Sequence, residues 1–225
     1  MNYDVVIFDL DGTLIDSIRD IGAAANHALA LHGFPLRKEE EFPGLVGHGV
    51  RNLMKNAIPA ELSQDDKLVD AVLADFTDFY TSNIDVFTRP YLGMHELLRE
   101  LSGTGLALAV ASNKFQSAVE YLVRVLFPDL EWIAIMGNKR GAPLKPNPAI
   151  VSEILDAFCR KKKVTDPKAI FVGDSPADIR TAHNAGIPCI GVSWGYRDAS
   201  ELSEADHLVH TVEELRKLLL QPFNK

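Results

Sequence analysis

The chain has 225 residues, 47% of them hydrophobic, with 31 acidic against 23 basic residues and a formal net charge of −8. This content excludes a disordered chain, and the length allows one large domain or one domain carrying an insertion. The acidic balance disfavours nucleic acid and anionic membrane as partners. The single basic cluster, Arg160-Lys161-Lys162-Lys163, reads as a solvated helix C-terminus, where cations suit the dipole. Cys159 and Cys189 are far apart in apolar surroundings and suggest neither a disulfide framework nor a metal-binding spacing, which fits a reducing cytoplasm. Met1-Asn2-Tyr3-Asp4 lacks the features of a signal peptide, and no apolar run approaches the roughly 18 residues needed to span a bilayer. A soluble cytoplasmic protein is expected.

Five short apolar runs read as buried strands: Val5 to Phe8, Leu106 to Ala111, Trp132 to Ile135, Ala169 to Val172 and Pro188 to Val192. Helical patterns follow most of them, which indicates a parallel sheet covered on both faces, the doubly wound α/β class. Ligands of such sheets bind beyond the carboxyl ends of the strands, so the residues just after each run form the candidate site.

The first run ends in Phe8-Asp9-Leu10-Asp11-Gly12-Thr13-Leu14. Asp9 and Asp11 repel each other unless a cation or a proton is present; the plainer reading is a pair satisfying turn amides. A calcium loop of the EF-hand kind is disfavoured, because its glycine comes sixth after a helix, whereas Gly12 comes fourth after a strand. The alternation of strand and helix then stops, and an inserted helical domain is expected. Its first helix starts near Asp16-Ser17, both good N-cap types, and runs through Ile18, Ile21, Ala25, Ala28 and Leu29 to Gly33 and Pro35. Further helices are expected over Val50 to Ile58 and Asp65 to Thr81, with re-entry to the core around Phe87 to Pro90. The division is therefore 1–15 and 88–225 for the core and 16–87 for the helical insertion.

The second strand ends in Ala111-Ser112-Asn113-Lys114, a hydroxyl and an amide that also read as an ordinary helix start. Leu144-Lys145-Pro146-Asn147-Pro148 holds a lysine in a stiff, proline-flanked turn. The fourth strand ends in Val172-Gly173-Asp174-Ser175-Pro176-Ala177-Asp178. Each segment alone has a bland reading; together they bring carboxylates, a hydroxyl and an ammonium to one edge of one sheet.

In order and across essentially the full length, these motifs resemble the haloacid dehalogenase-like superfamily. The resemblance implies a magnesium-dependent phosphatase with an α-helical cap that acts through an aspartyl phosphate. It implies Asp9 as nucleophile, Asp11 as general acid/base, and Ser112 and Lys145 as ligands of the transferring phosphoryl group. Asp9, Asp174 and the carbonyl of Asp11 would hold Mg2+, while Asp178 matches a position that either touches the metal or supports a residue that does. Thr13 and Asn113, within the same motifs, are expected to contact substrate. The physical demands agree: phosphate monoester hydrolysis needs on the order of 20 kcal/mol or more of barrier reduction, and one charged contact supplies only a few. Nucleophile, metal, acid/base and anion-binding donors must converge. Asp11 would protonate the leaving alkoxide and then take a proton from the attacking water.

Within the insertion, Leu45-Val46-Gly47-His48-Gly49-Val50-Arg51-Asn52-Leu53-Met54 looks like the Gly-x-Gly loop of phosphoglycolate phosphatases. Gly47, His48 and Gly49 would let backbone amides approach a small anion, and Arg51 would pair with a carboxylate if it points inward; the alternative is an interhelical turn with Arg51 in solvent. The alanine-rich Gly22-Ala23-Ala24-Ala25 segment and Val192-Ser193-Trp194-Gly195-Tyr196 are similar to the same subgroup. A departure lies at Met136-Gly137-Asn138-Lys139-Arg140-Gly141, where a basic loop replaces the usual acidic one. Asp11 with Asp174 argues against a dehalogenase, and Ile21 stands where β-phosphoglucomutases carry a cap histidine. Hydrolysis of sugar phosphates, nucleotides or pyrophosphate, or a non-catalytic binding role, stays open. The expected partner is a small phosphorylated metabolite, and the chain a monomer or homodimer.

Overall fold

The computed structural model describes residues 3–220. In chain order they form β1 (Val5–Phe8), β2 (Ile15–Asp16), α1 (Ile18–Leu31), α2 (Phe42–Leu45), α3 (Val50–Ala57), α4 (Asp66–Ser82), β3 (Arg89–Pro90) and α5 (Met94–Gly103). There follow β4 (Ala107–Phe115), α6 (Gln116–Leu126), β5 (Trp132–Asn138), α7 (Ala149–Lys162), β6 (Ala169–Gly173), α8 (Pro176–Asn184), β7 (Cys189–Val192), β8 (His207–Val209) and α9 (Val212–Leu220). Among these residues no helix is long and apolar enough to cross a membrane.

Six of the described strands form a parallel sheet in the order β5-β4-β1-β6-β7-β8. Successive side chains of a strand point to opposite faces, and both faces here are apolar. Val6, Phe8, Leu108, Val110, Ile170 and Val172 pack toward Leu97, Leu101, Leu122 and Leu215 of α5, α6 and α9. Their neighbours Val5, Ile7, Ala109, Ala111 and Phe171 pack toward Val151, Ile154, Phe158 and Ile179 of α7 and α8. That two-sided cover produces the expected α/β layers; Cys189 lies inside the second cluster as a free thiol, and Cys159 is also free. From β1 the sheet grows one way through β4 and β5 and the other way through β6 to β8, so the strand order reverses at β1. The crevice at its carboxyl end is the place where such sheets bind ligands.

The five expected strands are all present, and β4 and β5 run past their expected ends, to Phe115 and Asn138. The short strands β2, β3 and β8 were not expected. β2 and β3 pair antiparallel, Ile15 with Pro90 and Asp16 with Arg89, so the two connections to the helical insertion are tied to each other. Asp20, on the first turn of α1, adds a second tie. Its buried carboxylate accepts hydrogen bonds from Phe87 N (2.9 Å), Thr88 N (2.8 Å) and Thr88 Oγ1 (2.7 Å).

In the insertion, the small residues Ala24, Ala25 and Ala28 of α1 and the larger Val69, Val72 and Phe76 of α4 belong to one buried cluster. Gly22 is the first of this small series, and a Cβ there would lie 2.8 Å from the Phe42 ring. The same cluster includes the α5 and α6 side of the sheet. One sequence expectation fails locally: Ser17 precedes α1 but makes no side-chain cap. Its hydroxyl donates instead to Asp11, a stronger partner because the acceptor is a carboxylate.

Candidate active site

Asp9 is the first residue beyond β1, and its amide donates to Val172 O of β6 at 2.9 Å, which fixes the turn over the sheet edge. Lys145 reaches the same point from the turn before α7, and the peptide that joins it to Pro146 is cis. Its ammonium lies 2.8 Å from Asp9 Oδ1, 2.7 Å from Asp178 Oδ1 and 2.8 Å from the Ala111 carbonyl. The Asp9 contact is an ion pair without hydrogen-bond alignment, leaving Asp9 Oδ1 buried and otherwise unpartnered. Asn113 braces Lys145 from β4: its Oδ1 accepts from Lys145 N (2.8 Å), and its Nδ2 donates to Lys145 O (3.3 Å) and to Gly47 O of the insertion (2.9 Å).

Asp174 and Asp178 follow β6. Asp174 Oδ1 accepts from Thr13 Oγ1 at 3.1 Å, and its Oδ2 accepts from Tyr196 N at 2.8 Å. Gly12 has φ +86°, and a Cβ there would lie 2.3 Å from Asp174 Oδ2, so glycine is required both for the turn and for the close approach. Asp178 is fully buried in the first turn of α8, with Oδ2 taking Ser175 N (3.0 Å) and Ser175 Oγ (2.6 Å) while Oδ1 holds Lys145. Both of its oxygens are therefore already engaged.

Carboxylate oxygens of Asp9, Asp174 and Asp178 lie within 4.8 Å of one another. Burial, the larger effect, pushes the Asp9 carboxyl up to about 7 against the pull of Lys145, with Asp178 adding to the rise. Burial, then the charges of Asp178 and Asp9, hold Asp174 well above the usual carboxylate range. Desolvated like charges at this spacing call for a proton or a cation. An all-oxygen donor set with a buried oxygen on Asp9 that accepts no hydrogen bond fits a hard divalent cation. Among the described residues no main-chain amide reaches the Asp11 carbonyl, so it is available beside the two carboxylates. Asp9, Asp174 and that carbonyl are the groups placed to hold a metal, Asp174 with its two oxygens also accepting from Thr13 and Tyr196; Asp178 is tied up in orienting Lys145.

The Asp11 side chain turns the other way. Both of its oxygens are 3.0 Å from Lys114 Nζ, and Oδ1 also accepts from Ser17. Lys114 is 6% exposed and its ammonium stands 4.8 Å above the Tyr80 ring. Burial is the largest single influence on Lys114 and works against its charge, but Asp11 and then Tyr80 together outweigh it and raise the pKa, so the ammonium stays charged.

A cavity of about 680 Å³, mouth included, opens between the sheet edge and the insertion. Asp9, Asp11, Ser112, Asn113, Lys145 and Asp174 line it from the core, and Gly47 and Gly49 from the insertion. Three expected substrate contacts do not reach it. Thr13 is fully buried and spends its hydroxyl on Asp174. His48 is exposed. Arg51 points away from the cavity to form ion pairs with Asp66 (2.7 Å) and Asp70 (3.0 Å) across to α4. The buried stripe of α3 is Leu53, Met54 and Ala57, and Arg51 falls off that stripe. Lys114, Ser17, Tyr196 and Arg197 were missed as site residues. For Lys114 the signal was present, because residues two apart on a strand share a face and β4 carries Ser112 and Lys114 in that relation.

A doubly wound sheet with an acidic cluster, a buried lysine and a helical cover at its switch point is the arrangement of a phosphoryl-handling hydrolase core. Residues 6–192 match the family model described as haloacid dehalogenase-like hydrolase, and the chain belongs to that family. It is 36% identical over 199 residues to a phosphoglycolate phosphatase of Mesorhizobium japonicum, covering 88% of this chain and 86% of the relative. It is 31% identical over 218 residues to a phosphoglycolate phosphatase of Pseudomonas savastanoi pv. phaseolicola, covering 96% and 78%. A crystal structure of a candidate phosphoglycolate phosphatase from Lactobacillus delbrueckii subsp. bulgaricus superposes with a TM-score of 0.87 at 30% identity, covering 99% of this chain and 100% of that one.

Proposed function

We propose that this hydrolase is a magnesium-dependent phosphatase whose substrate is phosphoglycolate, with residues 16–87 serving as a cap domain over a core of 1–15 and 88–225. The observation that carries the reading is the meeting of Asp9, Lys145 and Asp174 at the mouth of a cavity closed by the insertion. The substrate assignment is supported by the relatives named above.

A carboxylate oxygen of Asp9 attacks phosphorus, and the bond from phosphorus to the ester oxygen breaks as the aspartyl phosphate forms. Mg2+ held by Asp9, Asp174 and the Asp11 carbonyl would offset the repulsion between carboxylate and phosphate. Lys145 and the Ser112 hydroxyl bind the phosphoryl oxygens, with Asp178 and Asn113 fixing the lysine. Asp11 donates a proton to the departing alkoxide, then accepts one from the water that cleaves the acyl phosphate and returns Asp9. In the geometry seen here the Asp11 carboxylate is held by Lys114.

A kinetic screen of the purified protein with Mg2+ over phosphoglycolate, hexose phosphates, nucleotides and pyrophosphate tests the assignment. The highest kcat/KM is expected for phosphoglycolate; a preference of tenfold or more for another of these substrates overturns it.

A further inference from the structure

Three cations line the cavity: Lys114, Lys145 and Arg197. The first two are spoken for. Lys145 is shared by Asp9 and Asp178, and Lys114 is held by Asp11. Arg197 differs, for among the described residues no carboxylate pairs with it. Its one hydrogen bond runs from Nη2 to the Val46 carbonyl at 2.7 Å, at the start of the Gly-x-Gly loop. A Cβ on Gly47 would stand 3.6 Å from the same Nη2, so the guanidinium lies against this loop. A guanidinium carries five N–H donors in a fixed fork, and the remaining donors suit a bidentate carboxylate.

The rest of the wall on the insertion side is apolar, with Ile21, Val50, Leu53 and Phe76. A half-buried cation beside such a surface is costly to leave unpaired once a substrate has displaced water. The phosphoryl end of the substrate has its own ligands in Lys145 and Ser112. Arg197 is therefore left for the other end.

We infer that Arg197, and not Arg51, selects substrates whose alcohol portion carries an anionic group, by pairing its free guanidinium edge with that group beside the Gly47–Gly49 loop. This rests on the phosphatase reading above and supplies the residue that would distinguish phosphoglycolate from an uncharged ester of the same size.

The test compares phosphoglycolate with ethyl phosphate, which keeps the two-carbon ester and lacks the carboxylate, for wild type, Arg197→Gln and Arg197→Lys. Discrimination is the ratio of the two kcat/KM values. Losing one charge-assisted bidentate contact should lower that ratio roughly 10- to 100-fold in the Gln variant, chiefly through KM for phosphoglycolate. The Lys variant, which keeps a charge and a donor for the Val46 carbonyl, should fall between Gln and wild type and serves if the Gln variant folds poorly. Arg51→Ala should leave the ratio as in wild type. A ratio that stays at the wild-type value in both Arg197 variants overturns the inference while sparing the phosphatase reading, because Arg197 would then only latch the insertion. A wild-type enzyme that turns over ethyl phosphate as well as or better than phosphoglycolate overturns the substrate reading and the inference together.

Discussion

Lys114 Nζ stands 3.0 Å from both carboxylate oxygens of Asp11, in a pair from which water is nearly excluded. The pair joins the end of β4 to the loop after β1, so the proposed acid/base is held by a residue on the neighbouring strand. Removing one partner of a buried ion pair leaves an uncompensated charge, which costs about 3–5 kcal/mol. Lys114→Met is therefore expected to lower stability by about that amount in denaturant titrations. Lys114→Met combined with Asp11→Asn should cost clearly less than the sum of the single changes. Additive losses would show that the two side chains are not coupled.

Asp9→Asn should abolish turnover, by about 1,000-fold or more, because an amide forms no acyl phosphate. The same change should affect stability in the opposite direction. Burial lifts the Asp9 carboxyl from 3.8 to about 7. A group raised on folding stabilises the fold below its unfolded value and loses that contribution as the pH climbs through its folded value. Metal-free protein should thus lose stability between about pH 4 and about pH 7, whereas Asp9→Asn should lose less and exceed wild type at pH 8 by on the order of 1–3 kcal/mol. Thermal melts in a chelating buffer across this range provide the check.

Magnesium should raise the Tm of the wild-type protein more at pH 8 than at pH 5, since at the lower pH protons on Asp9 and Asp174 compete with the ion. Chelation should abolish activity and Mg2+ should restore it. Calcium should restore it poorly, because its larger and more flexible shell fits the attack geometry less well. Full turnover in excess chelator would remove the metal role assigned to Asp174.

Gly12→Ala places a methyl group where Asp174 Oδ2 now lies and forces a side chain onto φ +86°. The backbone alone costs on the order of 1–2 kcal/mol. Displacement of Asp174 should weaken Mg2+ binding as well, so apparent Mg2+ affinity measured from activity should fall at least about tenfold. A variant with wild-type metal dependence would show that Asp174 does not need its present position.

Arg51→Ala should cost no more than about 1 kcal/mol, since its pairs with Asp66 and Asp70 are largely exposed. Phosphoglycolate kinetics should not change. A selective loss on that substrate would mean that Arg51 turns inward when substrate binds.

The sheet was legible because Val5–Phe8 and Ala169–Val172 are continuous apolar runs, and the charged residues after them are chemically conspicuous. β8 was not, since only Val209 of its three residues is buried and it has no apolar run to announce it. The roles of the two arginines were likewise hidden. Arg51 sits beside the Gly-x-Gly loop in sequence, whereas Arg197 reaches that loop from 151 residues away, through a hydrogen bond that no local pattern encodes. Helical spacing would have excluded Arg51, which lies off the stripe formed by Leu53, Met54 and Ala57. Ser17 shows the same limit: its type suits a helix cap, but a carboxylate brought close by the fold claims its hydroxyl.

The loop after β7 touches three parts of the molecule through two adjacent residues. The Tyr196 amide holds Asp174, its phenol oxygen accepts from Ser17 N at 2.7 Å at the start of α1, and Arg197 holds the Val46 carbonyl. Lifting the helices off the sheet must therefore strain the same short segment that positions a carboxylate of the cation cluster. If that cluster binds the proposed Mg2+, its occupancy and the seating of the helices are thermodynamically linked, and linkage is reciprocal: whatever factor the ion adds to the seated population, seating adds to the affinity for the ion.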